Sequence, residues 1–304
     1  MFLLFCIFGH MLQVSELFIY PIKSLPGVSV KEAIVTDRGF EHDRRWMLVD
    51  ENGLFISQRE ASEMTQLRVS IGTNGLHVTH RSKPGGLHIP IGEPASGSPG
   101  MVTVWDDTCP ATYVSKTADD WFSSMLGINC RLVYMTDDSR RLVDQAYARG
   151  NHITSFSDAY PFLLLGQASL DDLNSRMDTK LPIDRFRPNI VFTGGCAFEE
   201  DLMDHVRINN IDFNGVKLCA RCPIPTINQQ TGTKGKEPLK TLAKFRLRNN
   251  KVYFGQNLVH SGEGIVRVGD TLDVLSLHTD ERFLIGAQAE KILLIEKIFG
   301  NIVK

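Results

Sequence analysis

Short alternating segments dominate the first half of the chain. "SELFIYPI" (15–22) and "RRWMLVD" (44–50) are rich in β-branched and aromatic residues, the composition of strands. Asn52-Gly53 separates "WMLVD" from "LFIS", and Asn74-Gly75 separates "RVSIGT" from "LHVTH". Both dipeptides tolerate positive φ and predict hairpin turns. "IPI" (89–91) and "VTVWDD" (102–107) add strands, and the Gly, Pro and Ser of 92–100 predict a loop between them. Several short strands at turn spacing point to a β-barrel or sandwich.

The period then changes. Ala118, Trp121, Phe122, Met125 and Leu126 fall on one face of a helix over 117–126, with Thr117 as its N-cap. A polar run, "TDDSRRLVDQAYARGNHITSFSD" (136–158), places a domain boundary near residue 135. In the second half, Ser169 is expected to cap a short helix that turns Leu170, Leu173 and Met177 inward. "NIVFTG" (189–194) reads as a buried strand and "VRINNIDFNGVKLCA" (206–220) as a hairpin through Asn214-Gly215. "GIVRVGDTLDVLSL" (264–277) is strand-rich, and 287–299 reads as a last amphipathic helix ended by Gly300.

Composition narrows the class. The 304 residues are 42% hydrophobic, with 33 Lys+Arg against 35 Asp+Glu, a formal net charge of -2. These are ordinary globular values that exclude a disordered chain. No basic excess advertises a nucleic-acid binder. "MFLLFCIFG" (1–9) is too short to span a bilayer and lacks a basic n-region and cleavage site. It is expected to be a mis-assigned start, a frayed end or a short membrane-associating anchor, with no transmembrane span. Six scattered cysteines are too few for a disulfide scaffold and read as reduced thiols in a cytoplasmic protein.

Cys219-Ala220-Arg221-Cys222 is the sharpest chemical feature. A thioredoxin-like pair should open a helix, and Pro223 and Pro225 oppose that. A zinc site would need Cys196 and His205 as further ligands. A third reading is a single thiolate at a strand end, its pKa lowered by Arg221, serving as nucleophile or as ligand to a soft metal. The fourth is two small buried side chains. Cations gather at strand ends as well. Arg185 and Arg187 precede a buried strand, with Arg187 and Asn189 expected on one face by alternation. Lys23 and Ser24 follow a strand in a Pro/Gly-rich turn, and Arg44 opens another. Together they suggest a pocket for an anionic ligand. The chain carries no G-x-G-x-x-G, Walker A loop, G-x-S-x-G elbow or H-E-x-x-H.

The stretches "YPIKSLPGVSV", "RGFEHDRRWMLVDENG", "SDAYPFLLLGQASLDDLNSRM", "FRPNIVFTG", "CARCPIPTINQQTG", "KEPLKTLAKFR" and "FGQNL" occur in order from about residue 14 to 277. Together they resemble the MOSC family, named for the molybdenum-cofactor sulfurase C-terminal domain, and within it the amidoxime-reducing components. The resemblance implies a mostly β fold with a few helices. Its parts would be an apolar extension (1–12), an N-terminal MOSC β-barrel domain (13–135), a β-barrel-like MOSC domain (136–279) and a C-terminal helix (280–304). It implies a molybdopterin-type molybdenum cofactor with Cys222 as metal ligand and catalytic residue. Lys23, Ser24, Arg44, Arg187, Asn189 and Arg221 match the family's cofactor contacts.

The family's reductases carry an aspartate two residues beyond the threonine that follows the cysteine. Here that catalytic position holds Asn228, which forms hydrogen bonds but delivers no proton at neutral pH. The implied activity is reduction of N-hydroxylated compounds such as amidoximes, hydroxylamines and N-hydroxylated bases. No cysteine follows Cys222, so no iron–sulfur cluster is expected within this chain. Electrons would come from a separate cytochrome b5-like, ferredoxin-like or flavin reductase protein. The alternative is a sulfur-carrier module with a persulfide on Cys222, although no pyridoxal-phosphate domain of the sulfurase type fits within the chain.

Overall fold

The computed structural model describes residues 11–91, 97–148 and 150–285, and within them the fold is mostly strand. The expected extension before residue 11 and the helix over 287–299 lie outside the described residues. Among those described, no helix is long and apolar enough to cross a membrane.

The largest sheet has nine strands. Its path runs Val28–Val30, Gln13–Ile19, Ile190–Thr193, Phe162–Gly166, Lys251–Ser261, Ile211–Ala220, Met203–Ile208 and Leu272–Leu277, with Leu247–Arg248 paired beside Lys251–Ser261. Neighbours are antiparallel except Phe162–Gly166 and Ile190–Thr193, which run parallel. Phe162–Gly166 is buried at every position, the continuous apolar run expected of a central strand. Its crossover to Ile190–Thr193 carries the helix Gln167–Ser175. A four-stranded sheet (Trp46–Val49, Arg131–Tyr134, Asp107–Tyr113, Pro99–Val104) and a three-stranded one (Leu67–Gly72, Gly75–His80, Gly86–Pro90) build the other half. The helix Lys116–Leu126 drives Ala118, Phe122 and Leu126 into the core shared by Trp46, Leu48, Leu76 and Leu132.

The chain's first strand belongs to the sheet of its second half. Leu17 pairs with Ile190 and Val14 with Phe192, while Glu32–Thr36 pairs with Gly264–Arg267. Antiparallel pairing sets the exit of Gln13–Ile19 beside the entry of Ile190–Thr193. The turn holding Lys23 and Ser24 therefore meets the segment holding Arg187 and Asn189.

Local expectations need correction at several points. The Lys116–Leu126 helix is capped by Ser115, whose Oγ accepts from the Ala118 amide, so Thr117 lies inside the first turn. The Gln167–Ser175 helix is capped by Gly166. Ser169 is buried in its first turn, donating to Glu200 Oε2 at 2.8 Å and accepting from the Phe198 amide at 2.6 Å. Asn74-Gly75 closes a regular hairpin, with Gly72 opposite Gly75. Asn52-Gly53 makes a turn whose second limb is only a bridge from Phe55 to Val49. Part of the expected loop is strand, because Pro99–Val104 pairs with Asp107–Tyr113.

The hairpin through Asn214-Gly215 is displaced. The turn is Asn209-Asn210, with Asn209 at φ 55°, and Gly215 lies within Ile211–Ala220. Gly215 is there for space. A Cβ on it would stand 2.0 Å from Gln256 Nε2 and 2.1 Å from the Met203 carbonyl oxygen. A side chain at that strand position has to move both neighbours.

Gly215→Ala is expected to destabilise the protein by about 1–3 kcal/mol through this overpacking. Urea unfolding of the variant beside the parent measures it, and an unchanged midpoint would show that the sheet opens at no cost there.

Candidate functional site

One level of the large sheet sets the floor of a cavity. Asn189 follows Leu163 in hydrogen bonding, Leu163 pairs with Asn257, and Asn257 pairs with Lys217. Directly opposed residues share a face, so these side chains point the same way. All of them line a cavity of about 460 Å³. Its walls add Lys23, Ser24, Arg44, Trp105, Asp106, Asp158, Phe186, Arg187, Cys219, Arg221 and Cys222. The volume lies within the range of small-molecule and cofactor sites.

Every residue expected to contact cofactor lines this cavity, as does Cys222. Asn228 does not. Its Oδ1 accepts from the amides of Gln230 at 2.8 Å and Thr231 at 3.2 Å, which closes a turn beyond the cysteines.

The cations are held by backbone carbonyls as much as by acids. Arg187 donates to the Leu25 carbonyl at 2.7 Å, and Arg221 to the Phe186 carbonyl at 2.7 Å. Lys23 Nζ donates to the Phe156 carbonyl at 2.8 Å and to Asp158 Oδ1 at 2.7 Å. Arg44 pairs with Asp43 at 2.5 Å and donates to Asn189 Oδ1 at 3.0 Å. The guanidiniums of Arg44 and Arg187 each lie 4.3 Å from the centre of the Tyr20 ring. Burial pushes the Arg187 guanidinium down to about 10. It likewise raises the Asp43 carboxyl, against the pull of Arg44.

Arg187 is not set by strand alternation. It is left-handed, at φ 58°, at the end of the short turn Ile183–Phe186. Ser24, Arg44 and Trp105 are left-handed too, at φ 66°, 50° and 57°. Among the described residues, nine non-glycine positions have positive φ, and these four line the cavity. Three of the other five are asparagines, which adopt this conformation most readily. Backbone strain in bulky or charged residues is thus gathered at the site, as in functional centres generally.

The two cysteines differ. Cys219 Sγ accepts from Arg221 Nη1 at 3.1 Å. Burial nevertheless holds its thiol above the ordinary value, with Arg221 pulling the other way, so the expected lowering is outweighed. Cys222 stands two residues past the strand end, half-buried at the cavity wall. Among the described residues no cluster of three or more His, Cys, Asp or Glu could hold a metal ion. His205 of the zinc reading is instead in contact with Asp212 at 2.9 Å. A metal at Cys222 would need ligands from outside the chain's described residues.

Sequence reasoning missed the supports. Arg141, inside the polar run taken as a boundary, is buried and binds the carbonyls of Ser155, Ser157 and Asp158 and the carboxylate of Asp107. It fastens the cavity wall from behind. Asp158 accepts from both Lys23 and Trp105. Its segment was legible, in "SDAYPFLLLG", whereas its role was not.

These features define a two-part β protein whose halves share a cation-lined cavity walled by a Cys-x-x-Cys. Residues 11–129 match the family described as "MOSC N-terminal beta barrel domain", and residues 151–273 match "MOSC domain". The chain belongs to the MOSC family, in the form that joins these two domains. It is 32% identical over 280 residues to "Mitochondrial amidoxime-reducing component 1" of Mus musculus, covering 86% of this chain and 82% of that protein. It is 33% identical over 278 residues to "Mitochondrial amidoxime reducing component 2" of Rattus norvegicus, covering 84% and 81%. It is 29% identical over 263 residues to "Molybdenum cofactor sulfurase" of Oryza sativa subsp. japonica, covering 80% of this chain and 32% of that protein.

Burial lowers the Lys23 ammonium from its ordinary 10.5 to about 8, although Asp158 opposes this. Between those values the unfolded chain binds the proton and the folded chain does not, so this group's contribution to stability rises with pH. Parent stability relative to Lys23→Met is therefore expected to grow from pH 8 to 10.5. Urea midpoints across that window test it, and a flat difference would show the ammonium to be unshifted.

Proposed function

We propose that this chain is a molybdenum-cofactor-dependent oxidoreductase that reduces N-hydroxylated compounds such as amidoximes, hydroxylamines and N-hydroxylated bases. The observation that carries the reading is the donor set of one cavity. Cations and amide donors suited to a phosphorylated pterin stand beside two half-buried thiols at its wall, of which Cys222 lies past the strand end. The buried Arg221 Nε, which has no hydrogen-bond partner among the described residues, adds a donor beside the cysteines. These residues fit a dianionic, hydrogen-bond-rich cofactor.

When bound, the cofactor supplies a two-electron molybdenum centre that takes oxygen from the substrate. Cys222 is the chain's thiolate ligand to that metal. Lys23, Arg44, Arg187 and Arg221 offset the cofactor's negative charge, and their carbonyl partners fix where they point. Ser24 and Asn189 supply polar contacts, Asn189 already held by Arg44 and by the Phe18 carbonyl. Asn228 is left out of this reading, because it does not line the cavity and its Oδ1 closes its own turn. A separate electron-donor protein supplies the reductant, whether cytochrome b5-like, ferredoxin-like or a flavin reductase. Free thiols at Cys109, Cys130, Cys219 and Cys222 fit a reducing compartment such as the cytoplasm, although the animal relatives are named mitochondrial.

A second reading has the rice relative behind it: Cys222 carries a persulfide and passes sulfur on. The two separate in one preparation. Protein from a cofactor-competent host is expected to hold near-stoichiometric molybdenum by elemental analysis, and to reduce benzamide oxime with an artificial electron donor. Cys222→Ser is expected to lose both metal and activity, and Arg187→Met to retain less cofactor while keeping the ligand. Full molybdenum and activity in Cys222→Ser would sink the reading. A molybdenum-free parent with persulfide on Cys222 would replace it with the second.

A further inference from the structure

Trp105 is the residue at the cavity that neither the sequence nor the donor set accounts for. It forms the tip of the hairpin between Pro99–Val104 and Asp107–Tyr113, and the hairpin carries it from the N-terminal half to the cavity wall. Its backbone is left-handed, a conformation that costs a bulky aromatic residue free energy. The residue is 39% exposed, where hydrophobic burial would leave little. The position is nevertheless fixed. Indole Nε1 donates to Asp158 Oδ1 at 3.1 Å. The Arg59 guanidinium lies 4.1 Å from the indole, itself tied through Nε to Ser57 Oγ at 3.1 Å. The Phe55 ring centre stands 5.0 Å away. A strained, exposed and immobilised indole on a cavity wall contributes little to the core and offers a flat apolar surface to whatever enters.

We propose that Trp105, backed by Arg59 and Phe55, is the stacking wall that selects planar, π-conjugated N-hydroxylated substrates over aliphatic ones. The inference rests on the reading of the cavity as a reductase site. An aryl amidoxime brings a conjugated plane to lie along the indole, whereas an alkyl amidoxime brings none.

The test is calorimetric titration of the holoenzyme, without electron donor, with benzamide oxime and with acetamide oxime. Trp105→Ala is expected to weaken benzamide oxime binding about tenfold, the scale of one aromatic stacking contact. Acetamide oxime is expected to change less than twofold, and Trp105→Phe to keep most of the parent's affinity for benzamide oxime. Trp105→Gly is expected to melt no lower than the parent, since glycine accepts the left-handed backbone. Equal losses for both oximes, undiminished benzamide oxime binding in Trp105→Ala, or no benzamide oxime binding by the parent each overturn the proposal. So does a fall in melting temperature shared by the Ala and Gly variants with both affinities reduced alike, which marks a structural role. The two readings fail separately. Trp105-dependent binding without reduction by any donor leaves the wall standing and removes the reductase. Reduction of both oximes, with their kcat/KM ratio untouched by Trp105→Ala, does the reverse.

Discussion

Four of the five cations lining one cavity, Lys23, Arg44, Arg187 and Arg221, join Lys217 there, and tolerating them dominates the local structure. Like charges in a space of low polarity repel strongly, and desolvation adds to the cost. Two of them show that cost directly, with Lys23 pushed down to about 8 and Arg187 to about 10. The chain answers with backbone carbonyls, since the carbonyls of Leu25, Phe156 and Phe186 each take a donor from one of the four. It adds one buried carboxylate, Asp43, and one aromatic ring, Tyr20, shared between two guanidiniums. Aiming those carbonyls inward requires unusual turns, and left-handed Ser24, Arg44 and Arg187 supply them. An anionic ligand would relieve the repulsion, so binding and stability are linked at this site.

The topology makes the convergence possible. Lys23 and Arg187 are far apart in sequence, and only the pairing of Gln13–Ile19 with Ile190–Thr193 brings their turns together. The Cys-x-x-Cys arrives from another direction, at the end of Ile211–Ala220, through the shared neighbour Lys251–Ser261. Arg141 then secures the wall from behind with three carbonyls. The cavity is a product of the whole sheet, since its floor residues Asn189, Leu163, Asn257 and Lys217 come from four neighbouring segments.

The strand-rich character and the amphipathic helix near 117–126 were legible because they rest on local periodicity and turn chemistry. The cavity's cations were legible as residues at strand ends. Other features depend on distant partners and were not. Asn214-Gly215 has the composition of a turn, yet Gln256 and Met203 need its missing side chain inside a strand. Ser169 has the composition of a cap, yet Glu200 and Phe198 claim it as a buried bridge. Arg141 reads as a solvated charge in a polar run until the loop it fastens is folded around it. Left-handed Arg44, Arg187 and Trp105 are invisible to propensity, since nothing about arginine or tryptophan favours that backbone.

The two cysteines, both half-buried, differ within four residues in strand position and partner. Cys219 lies within the strand, where burial raises its thiol and Arg221 uses its sulfur as an acceptor. It holds one end of a guanidinium whose other end is held by the Phe186 carbonyl. Arg221 is thereby aimed with its Nε unpartnered among the described residues. Cys222 lies beyond the strand, ahead of Pro225, where no backbone ladder confines it and the cavity opens beside it. On the proposed function, a positioned cation and a half-buried sulfur on opposite sides of one peptide link form a receptor for something both negative and thiophilic. A phosphate alone would leave the sulfur without purpose, and a bare metal ion would find cations where it needs ligands. A metal carried by an anionic organic group satisfies both residues at once.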